Sequence, residues 1–170
     1  MPSGKRSPHG DLSPSHEHYL RAIWEARTRT GYARVSDVAR ELGVSHASVS
    51  VGLSGLEQRG YVGHDPHRFL LLTAKGERAA REVHHRYRVV KRFLAEVLGA
   101  EAEAADREAC VLEHHISPHT TERLVDLLKL LNEDEHVRRI LRDRFSAYHR
   151  SCLPSEACST CGLACLTPIA

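Results

Sequence analysis

Three side chains with metal-binding donor atoms lie within five residues, at Cys110-Val111-Leu112-Glu113-His114. On a helix, positions i, i+3 and i+4 share one face with Cβ atoms about 5–6 Å apart. A thiolate, a carboxylate and an imidazole can therefore converge on one point. This mixture of soft, hard and borderline donors suits a divalent ion such as Fe(II), Co(II), Ni(II) or Zn(II). A buried cysteine beside a surface Glu-His pair is the alternative.

A second group of thiols lies near the end of the chain, with the spacing C-x5-C-x2-C-x3-C. Its members are Cys152, Cys158, Cys161 and Cys165. The x2-then-x3 part resembles a portion of the ferredoxin-type run that wraps an iron–sulfur cluster, whereas structural zinc sites more often use two separated cysteine pairs. The spacing therefore favours a [4Fe–4S] or [2Fe–2S] cluster, with zinc, or four cysteines without a ligand, as the alternatives.

Composition limits the class of protein. The 170 residues include 13 His and 5 Cys, and the net charge of +2 arises from a basic first half and an acidic second half. That division suits binding of a polyanion by the first half, although chance segregation would look the same.

No segment approaches the roughly 20 apolar residues that cross a bilayer, and the opening residues lack the apolar run of a secretion signal. We expect a cytoplasmic protein without membrane contact, whose cysteines serve metal or thiol chemistry.

The elements that must position these groups begin with a predicted DNA-binding domain at residues 13–73. Residues 1–12 show no hydrophobic period and are predicted to be disordered. Ser13-Pro14 is typical of a helix start, and a short second helix and a third near 46–59 follow. Two short apolar runs around a polar turn then predict a β-hairpin. Three helices followed by a hairpin are the layout of a winged helix-turn-helix.

Residues 74–150 predict a helical domain, so that the whole chain is mainly α. Its first helix extends to about residue 98 with an apolar stripe that steps by four and three residues, and a second covers about 102–116. Asn132 and Glu135 resemble a capping box for the last helix. Residues 151–170 are the cysteine-rich tail.

Four segments resemble the diphtheria-toxin-repressor family, especially its short manganese-repressor branch without an SH3-like domain. They are Gly31-Tyr32-Ala33-Arg34-Val35-Ser36-Asp37-Val38-Ala39, Gly43-Val44-Ser45, Val49-Ser50 and Leu71-Leu72-Thr73-Ala74-Lys75-Gly76. The resemblance covers residues 13–150. It implies a homodimeric, metal-dependent transcriptional repressor of metal-uptake genes, whose metal-loaded form binds a palindromic operator in double-stranded DNA through the winged helix. The helical domain would then bind the metal and form the dimer, and no small-molecule substrate is implied.

The resemblance also extends the ligand set. Cys-x-x-Glu-His matches the activating site of the iron-responsive branch, whereas manganese-selective relatives carry a carboxylate at the place of Cys110. The matching position in the first helix is His18, so the predicted ligands are His18, Cys110, Glu113 and His114. Fe(II) is therefore expected, and Mn(II), Co(II), Ni(II) and Zn(II) are the alternatives. Because His18 belongs to the DNA-binding head and the others to the helical domain, an ion would tie the two together, and metal and DNA would strengthen each other's binding.

Other positions depart from the family's pattern. Arg21 stands where the manganese branch has a carboxylate ligand, and Tyr87 and Lys91 stand where relatives place His and an acidic or neutral residue. These departures put a second metal site in doubt. Nearby residues with donor atoms are more simply explained as solvated helix-face residues; they are His84, His85, Asp106 and His115.

The predicted DNA contacts lie on the third helix and on the hairpin. A recognition helix needs short polar side chains near its N-terminus, and arginines can contact phosphates. The predicted contacts are Arg34, Ser45, His46, Ser48, Ser50, His67 and Arg68. Gly52 and Gly55 are unexpected inside this helix, because each costs about 0.5–1 kcal/mol relative to alanine. Val51 replaces a polar residue that relatives often carry, so we expect reliance on DNA shape.

Three other functions fit parts of the pattern. The cysteine tail could be the main sensor of iron or redox status, or the repressor could respond to manganese. Cys-x-x-Glu-His also resembles superficially the His-x-x-Glu-His motif of zinc proteases. Cysteine in place of the first histidine and the small helical chain argue against that last function, and we expect no enzymatic activity.

Overall fold

The structure is a computed structural model that describes residues 12–148. Its regular elements in chain order are α1 (Pro14–Thr30), α2 (Val35–Leu42), α3 (His46–Gln58), β1 (Val62–His64), β2 (Leu70–Leu72), α4 (Ala74–Arg92), α5 (Ala102–Leu112), α6 (Pro118–Glu133) and α7 (Glu135–Tyr148). The predicted fold class, mainly α with a β-hairpin after three helices, is confirmed. The described residues up to Val125 form one compact unit, and those from Asp126 onward form another. The cysteine tail lies outside the described residues.

α1 begins and ends where local signals place it. The Ser13 hydroxyl accepts a hydrogen bond from the His16 backbone N–H at 3.3 Å, and Pro14 occupies the first turn. Gly31 ends the helix with a φ of +83°, a conformation that costs glycine little. Leu12, which we expected in the disordered segment, is instead buried, because it belongs to the hydrophobic core of the first unit.

The winged part of the fold is a short antiparallel hairpin. Val62 pairs with Leu72 and His64 with Leu70. The Leu70 backbone N–H donates to the Ala33 carbonyl at 2.8 Å, which ties the hairpin to the start of α2. The core beneath it consists of side chains that are almost fully buried, each contributing about 1.5–3 kcal/mol when large and apolar; the largest are Leu20, Ile23, Val38, Val49, Leu56 and Leu70.

Two helices differ from their predicted lengths. α4 is α-helical to Arg92 and continues as one π-helical turn, Phe93–Val97. α5 ends at Leu112 instead of near residue 116, so Glu113 and His114 lie in the turn that follows. The Glu113 backbone carbonyl accepts from the Arg86 guanidinium at 3.2 Å. This contact with α4 competes with continuation of the helix. α1 also packs against α4, so the described residues on either side of the predicted boundary at residue 73 form one packed unit.

The second unit begins within α6 and includes α7. The Asp134 carboxylate accepts from the backbone N–H groups of His136 and Val137 at 2.9 and 3.0 Å, and so caps α7. The capping box predicted at Asn132 and Glu135 is therefore wrong by two residues, because Asp134 supplies the side chain at the position where the helix starts. Within residues 12–148, every helix is too short or too polar to span a membrane.

Candidate metal centre

Three of the four predicted ligands meet at one point in the first unit. His18 lies on α1, and Glu113 and His114 lie directly after α5. One donor atom from each lies within 4.8 Å of the other two. The Nε2 atoms of His18 and His114 are 2.7 Å apart, and their rings meet edge to face with centroids separated by 4.4 Å. The geometry thus brings together residues that are about 95 positions apart in sequence and come from two different elements.

Cys110, the fourth predicted ligand, lies beside this triad. Its Sγ is 3.2 Å from His18 Nε2. The same sulfur accepts a hydrogen bond from Arg21 Nη2 at 3.3 Å. Cys110 therefore faces both the triad and a guanidinium group.

Glu113 is the most unusual member of the site because it is fully buried. Neither of its carboxylate oxygens has a hydrogen-bond partner among the described residues, and His114 Nε2 and Arg21 Nη1 lie 3.6 and 3.7 Å from Oε1. Burial raises the pKa of Glu113 to about 8, outweighing Arg21 and Arg86, which act to lower it. A buried carboxylate without partners is costly, and a cation beside it would remove that cost.

Burial favours the neutral imidazole, the form that binds metals, at both histidines. Burial lowers the pKa of His18 and of His114, although the Glu17 carboxylate opposes this for His114. His114 Nδ1 donates to Glu17 Oε2 at 2.5 Å. Donation from Nδ1 leaves the lone pair of Nε2 available, as in the carboxylate–histidine–metal arrangement. Two neutral imidazoles, an unpartnered carboxylate and a thiol therefore form a donor set that fits a divalent ion.

Sequence reasoning missed two residues that position this centre. Glu17 and Arg86 are both buried. Arg86 Nη2 donates to Glu17 Oε1 at 3.1 Å, and its Nε donates to the Glu113 carbonyl, so one guanidinium holds both the partner of His114 and the chain at Glu113. The signal for Glu17 was present, since a ligating imidazole normally donates its second N–H to a carboxylate or carbonyl. Arg86 carried no such signal, because a charged helix residue usually faces solvent.

Two family descriptions match most of the chain. "Iron dependent repressor, N-terminal DNA binding domain" matches residues 11–70, and "Iron dependent repressor, metal binding and dimerisation domain" matches residues 73–142. The transcriptional regulator MntR of Geobacillus kaustophilus (strain HTA426) is 34% identical over 131 residues, which is 77% of this chain and 92% of that protein. The chain belongs to the iron-dependent repressor family.

Solved structures of this repressor family resemble the structure of this chain. The manganese regulator SloR has a TM-score of 0.63 and 31% identity over 69% of this chain and 55% of its own. The IdeR of T. acidophilum has a TM-score of 0.61 and 26% identity over 66% of this chain and 53% of its own. The chain spans about half the length of these two structures. It is a metal-dependent DNA-binding transcriptional repressor of the kind that includes MntR.

The residues predicted to contact DNA on the third helix of this repressor are exposed. Ser45 caps α3 by accepting from the Ser48 backbone N–H at 3.1 Å, and the two hydroxyl oxygens are 2.9 Å apart. The Ser50 hydroxyl donates to the His46 carbonyl at 2.9 Å. These hydroxyls therefore already have local hydrogen-bond partners. A contact with DNA would either add to these hydrogen bonds or replace them.

The other three predicted contacts of the repressor lie beside α2 and on the hairpin turn, and all are exposed. The Arg34 guanidinium lies over the rings of Tyr32 and Phe69, at 5.2 and 5.1 Å from their centroids. His67 and Arg68 occupy the turn between β1 and β2. Arg68 has a φ of +65°, the left-handed region that costs any residue with a Cβ.

One of the unexpected residues of α3, Gly52, has a structural explanation. A Cβ on Gly52 would lie 2.1 Å from Cε2 of Tyr19, so glycine is needed for the Tyr19 ring to lie against the helix. The Tyr19 hydroxyl also donates to the Ser48 carbonyl at 3.4 Å. Val51 is 77% exposed, so its apolar side chain is open to solvent on α3. α1 thus carries His18, a residue of the candidate centre, next to Tyr19, which contacts α3.

Proposed function

We propose that this repressor is homodimeric and iron-responsive, and that it controls metal-uptake genes by binding a palindromic operator when metal is bound. The proposed ligands are His18, Cys110, Glu113 and His114. The observation that carries the proposal is the convergence of three donors within 4.8 Å across two elements, one of them a buried carboxylate without hydrogen-bond partners. A bound divalent ion would contact this carboxylate directly, which Arg21 at 3.7 Å does not.

The chain's own contacts explain how the centre would affect DNA binding. His18 lies on α1, and its neighbour Tyr19 packs on α3 at Gly52 and donates to Ser48. Glu17, on the same helix, holds His114. A bound ion would stabilise the convergent arrangement of these donors. Because His18 and Tyr19 share α1, the ion would also stabilise one position of α1 and of α3, the proposed DNA-reading helix. Metal and operator must then raise each other's affinity by the same factor.

The donor set supports Fe(II) over Mn(II). Imidazole and thiolate ligands favour the later first-row ions, whereas carboxylate and water suit manganese. Manganese is nevertheless a specific second candidate, because the relatives described above include the manganese regulator SloR and MntR.

An anaerobic operator-binding titration distinguishes the two ions. We expect the Fe(II) concentration that gives half-maximal binding to the chain's own promoter DNA to be about tenfold or more below that of Mn(II), following the rising affinity along the first-row series. Equal or better activation by Mn(II) would favour the manganese function. Loss of activation by both ions in His114→Ala is expected, and an unchanged response in that variant would contradict the site.

The cysteine tail is proposed to hold an iron–sulfur cluster or zinc through Cys152, Cys158, Cys161 and Cys165. The same titration with the tail deleted separates the two sensors. If the deleted form keeps its Fe(II) response, the centre described above is the main sensor. If the response disappears and DNA binding of the full chain follows the brown colour of a cluster, the tail is the main sensor.

The proposed dimer contact uses exposed apolar side chains. Within the first unit, Leu98, Val111 and Leu112 are 41%, 61% and 41% exposed. Apolar side chains grouped on a surface often mark protein contacts. Sedimentation of the full chain is expected to give the mass of a dimer, and Val111→Glu is expected to shift it toward the monomer.

Replacing Arg68 with glycine is expected to weaken DNA binding while leaving the protein as stable or more stable. Glycine adopts the φ of +65° at this position without strain, so the fold does not lose stability. Loss of one phosphate contact lowers the slope of log affinity against log salt concentration by about 0.9, and it lowers the affinity about fivefold near 0.15 M salt. Fluorescence anisotropy at several salt concentrations measures both. Arg107→Ala, at an exposed position of α5, is the matched control. An Arg68→Gly slope equal to that of wild type would remove Arg68 from the DNA interface.

A further inference from the structure

Arg21 lies inside the metal centre, although it carries a permanent positive charge. It follows His18 by one helical turn on α1, and its side chain is 9% exposed. Its Nη2 donates to Cys110 Sγ at 3.3 Å, and its Nη1 lies 3.7 Å from Glu113 Oε1. The guanidinium carbon lies 4.0 Å from the centroid of the Tyr87 ring. The guanidinium is thus held by a thiol, a carboxylate and an aromatic ring.

The cleft beside the triad contains further groups with metal-binding donor atoms. It encloses about 400 Å³, and Glu25, Asp106 and Cys110 are among the residues that line it. Each of these groups already has a cationic partner from the chain. Arg21 contacts Cys110 and lies 4.0 Å from Glu25, and Lys91 contacts Asp106.

Lys91 and Tyr87 complete this arrangement. Lys91 Nζ donates to Tyr87 Oη at 3.3 Å, and Tyr87 Oη donates to Asp106. Two cations of the chain therefore lie near the same aromatic ring, on α1 and α4. They neutralise donors that would otherwise be available to a further ion in the cleft.

We propose that Arg21 is a built-in cation that takes the place of a second metal ion, so that each protomer binds a single divalent ion at the proposed ligands His18, Cys110, Glu113 and His114. This inference rests on the proposed function, because it takes the triad as the first ion's site. A guanidinium is never deprotonated in a protein, so its charge stays in the cleft whatever the metal supply. A second divalent ion would have to displace it from the thiol and the carboxylate. Arg21 therefore determines metal stoichiometry.

Counting bound Mn(II) in the full chain tests this directly. Mn(II) suits carboxylate donors but not thiolate-rich sites, so the cysteine tail contributes little to the count. Equilibrium dialysis with metal analysis is expected to give one ion per protomer for wild type, with the electron paramagnetic resonance spectrum of an isolated Mn(II). Arg21→Glu, which adds a carboxylate, is expected to give two ions with magnetic coupling, as for ions about 3.5–4 Å apart.

Three further variants make the outcome decisive. Arg21→Lys keeps the cation and is expected to bind one ion. Arg21→Gln removes the charge, adds an oxygen donor and is expected to bind two ions. If Arg21→Glu fails to fold, the ion count of Arg21→Gln tests the inference in its place. Two ions in wild type, or one ion in a folded Arg21→Glu or Arg21→Gln, would overturn the inference but leave the triad in place. Undiminished Mn(II) binding in His114→Ala would overturn the proposed function itself.

Discussion

Replacing Glu113 with glutamine is expected to stabilise the metal-free protein and to abolish its stabilisation by a divalent ion. Glutamine has nearly the same shape, so the packing of this fully buried side chain is retained. A carboxyl pKa that burial raises from 4.5 to about 8 corresponds to a cost on the order of 5 kcal/mol once the group must ionise. An unpaired buried amide costs about 1–3 kcal/mol. The loss of the charge outweighs the unpaired amide, and we expect a net gain of roughly 2–4 kcal/mol above pH 8.

The pH dependence of metal-free stability should change in the same variant. Below pH 4.5 the Glu113 carboxyl is protonated in both the folded and the unfolded chain. Between that pH and about 8, the unfolded chain has lost the proton that the folded chain retains, so rising pH favours unfolding. The favourable contribution is therefore lost as the pH rises to about 8. Glu113→Gln should lack this decline.

Urea unfolding with EDTA, and then with Mn(II) or anaerobic Fe(II), measures both effects. An ion at one hundred times its dissociation constant stabilises a folded protein by about 2.7 kcal/mol, a gain expected in wild type and absent in Glu113→Gln. Glu108→Gln is the matched control, because Glu108 is exposed on α5. A Glu113→Gln protein with the wild-type metal gain would exclude Glu113 as a ligand.

Local signals in the sequence were sufficient to predict a helix end wherever that end depends only on the residues beside it. Ser13 and Pro14 start α1 and Gly31 ends it, because a hydroxyl, a fixed φ and a left-handed residue act without help from distant parts of the chain. The donor types at the end of α5 and directly after it, Cys110, Glu113 and His114, were visible in the sequence as well. The end of α5 was not, because the contact between Arg86 and the Glu113 carbonyl joins residues 27 positions apart.

Hydrophobic periodicity could not predict that charged residues such as Glu17 and Arg86 support the centre. Glu17 and Arg86 have the composition of a solvated helix face, yet both are buried, because each satisfies the other and together they hold His114 and Glu113. Arg21 was recognised only as a departure from the resembling family. Its contacts with Cys110 and Tyr87 depend on how α1 packs against α4 and α5, which no local pattern encodes.

Replacing Gly76 with alanine is expected to destabilise the whole first unit. A Cβ at Gly76 would lie 1.9 Å from the backbone oxygen of Tyr61. That carbonyl cannot move freely, because it also accepts from the Thr73 backbone N–H at 3.0 Å. Thr73 in turn caps α4 by accepting from the Gly76 N–H at 3.1 Å. Alanine would gain about 1 kcal/mol in helix propensity, but overpacking against fixed backbone costs about 3 kcal/mol or more, so the clash dominates.

Thermal unfolding of Gly76→Ala should therefore show a melting temperature about 4–8 °C below wild type, since a net loss near 2 kcal/mol shifts a chain of this size by about 2–4 °C per kcal/mol. Gly63→Ala is the matched control, because no atom lies within 4 Å of a Cβ there and its backbone is ordinary for any residue. An unchanged melting temperature in Gly76→Ala would mean that α4 does not start this close to β1.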